Sequence, residues 1–118
     1  MGDRTDNYVV FERNAGREIE QGAVVKLFAR GETGVKPVEG WYIMLQRPDG
    51  HCLLLLNSRD ATVKFIKTVI GLFKLLDRIP ARDVTVPLEG QVADNKAIWD
   101  LHAHLNQQAA GGDKTIAV

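Results

Sequence analysis

The stretch WYIMLQRPDGHCLLLLN, residues 41–57, decides the fold. Two apolar runs flank Arg47-Pro48-Asp49-Gly50. Proline presets φ for the second position of a turn, and glycine accepts the positive φ wanted at its end. The runs are therefore expected to form a hairpin closed by a type I turn and a glycine bulge. In that register Arg47 faces His51, Leu45 faces Leu53, Ile43 faces Leu55 and Trp41 faces Asn57. Side chains alternate across a strand. Trp41, Ile43, Leu45, Leu53 and Leu55 then share one face, and Tyr42, Met44, Gln46, Cys52, Leu54 and Leu56 the other. Leucines on both faces of the second strand call for cover on both sides, by a helix and by something else.

Upstream, YVVFER (8–13) reads as a strand because it is rich in β-branched and aromatic residues. NAGREIEQG (14–22) reads as a turn, AVVKLFAR (23–30) as an alternating strand, and the glycine-rich GETGVKPVEG (31–40) as a loop. Downstream, Ser58 is placed to cap a helix with Asp60 in its first turn. That helix is expected over 59–79, stopped by Pro80. DVTVPL (83–88) is a short strand whose Pro87 falls at a sheet edge or at a strand end, and Asp94 or Asn95 caps a second helix over 94–108 with Ile98, Leu101 and Leu105 as its stripe. The expected fold is α+β. A curved antiparallel sheet of about four to five strands, including the hairpin, packs against the two helices on one side. Residues 1–110 form a single domain and 111–118 a C-terminal tail.

Within the first helix, TVKFIKTVIGLFKLLDR (62–78), helical spacing sets Lys64, Lys67, Lys74 and Arg78 on one narrow stripe with Gly71. The remaining arc is apolar and wider than one sheet can cover. Val69, Ile70 and Phe73 are therefore assigned to a dimer or partner interface.

The chain has 118 residues, with fifteen basic and fifteen acidic side chains. Neutrality disfavours a generic polyanion binder, but the charges are segregated. Residues 22–82 hold ten basic and five acidic groups, between segments in which acids prevail. Such an arrangement gives either one positive face or charges that pair across the fold. One cysteine excludes an internal disulfide and points to a reducing, cytoplasmic setting. The apolar runs are too short to span a bilayer, and no membrane association is expected.

Chemistry-bearing motifs are missing. His51 and Cys52 are neighbours on a strand and point to opposite faces. His102 and His104 are two apart on a helix, unlike the i, i+4 pair of zinc helices. Asp100 and His104 share a face as a surface pair. No cofactor, metal site or catalytic residue is expected. The sequence reads as a non-enzymatic binding module.

The remaining constellation lies on the strands. Tyr8, Phe11, Phe28, Trp41 and Tyr42 interleave with Arg13, Lys26, Arg30, Lys36 and Arg47. Aromatic faces stack on bases while cations follow a phosphate backbone. Single-stranded nucleic acid is thus the first expected partner, through Lys26, Phe28, Arg30, Arg47, Lys64 and Lys67. The alternative is a protein–protein interaction module (inhibitor, adaptor or accessory subunit) acting through the apolar helix or a sheet edge. Four strands and then a helix over residues 8–79 resembles, in element order, the single-strand-binding Pur-alpha, Whirly and positive-coactivator families. The resemblance brings no motif and assigns no residue a role.

Overall fold

A computed structural model describes residues 8–31, 38–86 and 91–117, with side chains through residue 110. The order is β1 (Val9–Phe11), α1 (Ala15–Glu20), β2 (Val24–Arg30), β3 (Gly40–Gln46), β4 (Cys52–Leu56), β5 (Phe65–Ile66), α2 (Val69–Arg78), β6 (Val84–Thr85) and α3 (Asn95–Ala117). A 3-10 turn, Glu12–Asn14, joins β1 to α1.

The hairpin forms as its residues dictate. Leu45 pairs with Leu53 and Gln46 with Cys52. Arg47 N–H donates to the His51 carbonyl at 2.8 Å, and Gly50 N–H to the Arg47 carbonyl at 2.9 Å. Gly50 takes φ 96°, the region a glycine reaches without strain. β2 extends the meander by pairing antiparallel with β3.

The sheet is mixed rather than antiparallel. β1 lies parallel to β4, Val9 opposite Leu54 and Phe11 opposite Leu56. β6 lies parallel to β2, Val84 opposite Val25. The strand order is β1-β4-β3-β2-β6. Trp41 does not meet Asn57; its partner is Ile66, because β5 takes over the edge of β3 that β4 leaves. α1 and β5 interrupt the expected series of four strands and a helix over residues 8–79.

The helices cover both faces. Leu72 and Leu75 of α2 and Ile79 just after it, with Ala15 and Ile19 of α1, pack on Val25, Leu27, Ile43, Leu45, Leu53 and Leu55. Ile98 of α3, flanked by Trp99, Leu101 and Leu105, packs on Phe28, Tyr42, Met44, Cys52, Leu54 and Leu56. All five residues of β4 are buried, as a strand covered on both sides requires.

Three helical expectations are corrected. The first helix spans 69–78, not 59–79. Asp60 Oδ1 accepts from Thr62 N–H at 3.1 Å and from Thr62 Oγ1 at 2.7 Å. Such local bonds compete with helix formation, and the following TVKFIK is rich in strand formers that pair instead. The cap is Thr68, whose Oγ1 accepts from Gly71 N–H at 2.9 Å. Residues 15–20 are helical because Ala15 and Ile19, one turn apart, both reach the core. α3 starts under the expected Asp94 cap, whose Oδ1 accepts from Ala97 N–H at 2.9 Å, but its backbone stays helical to Ala117.

One close approach fixes β5. A Cβ on Gly40 would lie 2.5 Å from the Ile66 carbonyl oxygen and 2.5 Å from the Phe65 ring. Gly40→Ala is therefore expected to lower stability by about 1–3 kcal/mol through overpacking, read by urea denaturation.

Candidate functional site

The residues assigned to nucleic acid do not converge. Phe28 is 7% exposed and packs with Tyr42, Met44 and Ile98 under α3. Lys26 lies half-buried on the same sheet face, opposite Met44. Arg30 is also on that face. Its guanidinium stacks over the Phe65 ring at 4.8 Å, donates to Tyr42 Oη at 3.1 Å and pairs with Glu39 at 3.0 Å. Arg47 projects from the opposite face, where its guanidinium grips both carboxylate oxygens of Glu18 at 3.1 and 3.0 Å. Lys64 Nζ is held by Glu12 at 3.0 Å, and Lys67 is exposed just before α2. Lys36 lies outside the described residues.

These pairs account for part of the charge segregation of the sequence. Glu12 binds both Lys64 and Arg78, and Glu18 binds Arg47. Acids of the N-terminal segment thus engage cations of the basic middle across the fold.

Glu12 is the best-defined of these groups. Burial alone raises its pKa, but hydrogen bonds from Arg78 and Lys64 and their charges outweigh that, so it lies below the ordinary 4.5. A depressed carboxylate stabilises the fold above its unfolded pKa and loses that contribution as pH falls through the folded value. Glu12→Gln is therefore expected to cost about 1 kcal/mol at neutral pH. The deficit relative to wild type should shrink as pH drops below 4.5 in acid denaturation series.

Other chemistry-bearing residues are buried or paired. Cys52 is 1% exposed, and burial pushes its thiol pKa up, away from a nucleophilic thiolate. His102, fully buried on α3, sets Nε2 2.6 Å from the Tyr8 carbonyl oxygen. Asp100 pairs with Lys96 at 3.1 Å, one turn away, rather than with His104. Among the described residues no group of three or more His, Cys, Asp or Glu is placed to hold a metal. No described helix is long and apolar enough to cross a membrane. A cleft lined by Glu12, Arg13, Gly16, Ser58, Arg78 and Ile79 has a volume of ≈ 450 Å³. Its polar walls are engaged: Arg13 donates to the Ser58 carbonyl, and Arg78 to Glu12.

The outward side of α2 is different. Val69, Ile70 and Phe73 are 53%, 69% and 65% exposed, while Leu72, Leu75 and Ile79 are 6%, 0% and 2% exposed. Helical spacing gathers the first three into one patch, with Lys67, Lys74 and Asp77 around it. The Thr68 cap and the Glu12–Arg78 pair fix the two ends of this helix. The three residues assigned to an interface from sequence are thus the exposed ones, and the wide apolar arc divides between core and surface.

Sequence reasoning passed over Asn106. It is 6% exposed, and its amide meets Cys52 N–H at 2.7 Å and Cys52 C=O at 3.0 Å. The available signal was its spacing, since Ile98, His102 and Asn106 fall four residues apart on one helical face.

Comparison with protein-family models, with curated proteins and with solved structures finds no match. The functional reading therefore rests on the chain's own residues.

Proposed function

We propose that this protein is a non-enzymatic protein-interaction module that docks through the outward face of α2. The observation that carries this reading is the contiguous exposure of Val69, Ile70 and Phe73 on a helix whose other side is core. Large apolar side chains scattered singly are ordinary on a surface; three adjoining ones with a charged rim mark a contact site. Fully burying one such side chain contributes about 1.5–3 kcal/mol. Three part-buried ones make only a modest contribution, so docking through this face alone is weak and readily reversed.

Single-stranded nucleic acid is the lesser reading. It needs an open strand face, whereas Phe28 lies under α3 and Arg47 is on the other side of the sheet. The test is site-specific photo-crosslinking in the source cells. A crosslinker at position 70 is expected to give a discrete protein adduct, and one at position 96, where Lys96 is 83% exposed on α3, is not. Equal or absent adducts at both positions would overturn the reading.

A further inference from the structure

Resting on that reading, we propose that the partner of α2 is α2 of a second copy, packed antiparallel about a two-fold axis near residue 72. Ile70 of each copy then meets Phe73 of the other, and Lys67 of each lies level with Asp77 of the other.

Two observations point to this arrangement. The first is self-complementarity. Residues 70 and 73, and 67 and 77, share nearly one midpoint near residue 72, in the N-terminal half of α2 with Lys67 just ahead of the Thr68 cap, so a two-fold axis there exchanges the members of each pair, as an isologous interface demands. The second is the placement of charge. A helix favours acids at its N-terminal end and bases at its C-terminal end. α2 has no acid in its first turn, Lys67 stands just before its cap, and Asp77 sits in its last turn. Both are exposed, and among the described residues no salt bridge engages Lys67, Lys74 or Asp77. Each opposes the dipole of its own helix. Antiparallel pairing reverses both relations, because Lys67 meets the C-terminal pole and Asp77 of the partner. Lys74, one turn before Asp77, flanks the same carboxylate from its own chain. Parallel packing would instead set Lys67 against Lys67 and Asp77 against Asp77.

The experiment is sedimentation equilibrium of the purified full chain at low ionic strength for wild type, Lys67→Glu, Asp77→Lys and the double exchange. Wild type is expected to form a reversible dimer of the 13.1 kDa chain. Each single reversal should weaken the dimer roughly tenfold, since the pair occurs twice by symmetry. The double exchange should restore it. Thermal melting separates this from damage to the fold. Each single change improves the match to its own helix dipole, so the monomer should melt no lower than wild type. Loss of dimer without restoration in the double exchange would overturn the antiparallel register. A wild type that stays monomeric at every concentration would overturn self-pairing. In that case an adduct of another protein from position 70 leaves the interaction-module reading standing, and no adduct removes both.

Discussion

Asn106→Ala is expected to lower folding stability by about 2–6 kcal/mol, measured by urea denaturation. The reason lies at the end of β1. That strand has three residues, and its pairing with β4 stops at Val9 opposite Leu54. Tyr8 still accepts from Leu54 N–H at 3.0 Å. Two residues further back, the N–H and C=O of Cys52 point toward the same side, past the reach of the strand. The Asn106 amide satisfies both, acting as one more rung of the ladder supplied from a helix. Alanine removes donor and acceptor together and leaves two buried backbone groups without partners. Each such group costs about 1–3 kcal/mol. Against a total stability of about 5–15 kcal/mol, the loss is large. A loss below about 0.5 kcal/mol, the range of ordinary surface changes, would show that Asn106 does not bridge α3 to β4.

The second large effect separates the two sides of α2. Leu75→Ala is expected to cost about 2–5 kcal/mol, since it opens a cavity among well-packed neighbours. Leu75 is fully buried with Val10, Val25, Leu27, Ile43 and Leu53 in one cluster. Ile70→Ala, five residues earlier and 69% exposed, should change monomer stability by no more than about 0.5 kcal/mol. It should instead reduce association. Similar losses of stability from both variants would mean that Ile70 belongs to the core.

Local signals were the legible part of the sequence. Arg47-Pro48-Asp49-Gly50 specifies its hairpin because proline and glycine each satisfy a particular backbone demand. Asp94 caps α3 because a carboxylate three residues before a free N–H suits that geometry. Five buried residues in β4 follow from a run of leucines that alternation cannot divide into wet and dry faces. Long-range pairings were not legible. Nothing near Val9 signals that it lies parallel to Leu54, forty-five residues on. α1 has six residues and shows only Ala15 and Ile19 as apolar contacts one turn apart, so its glycine and asparagine flanks dominate the reading.

The candidate site divides the same way. The exposure of Val69, Ile70 and Phe73 was legible because helical spacing left more apolar arc than a single sheet covers. The basic strand face was not, because its composition omits two facts about tertiary structure. α3 crosses the face that holds Phe28, and Glu12 and Glu18 come from a distant segment to engage Lys64, Arg78 and Arg47.

The central claim, that the outward face of α2 is an association surface, is tested most directly by methyl NMR spectra recorded over a range of protein concentrations. The account predicts that Val69 and Ile70 methyl signals move with concentration, while those of Leu75 and Ile98, both fully buried, stay fixed. Methyl signals of Val69 and Ile70 that do not move, with shifts confined to Val84 and Val86 at the β6 edge or found nowhere, would contradict it.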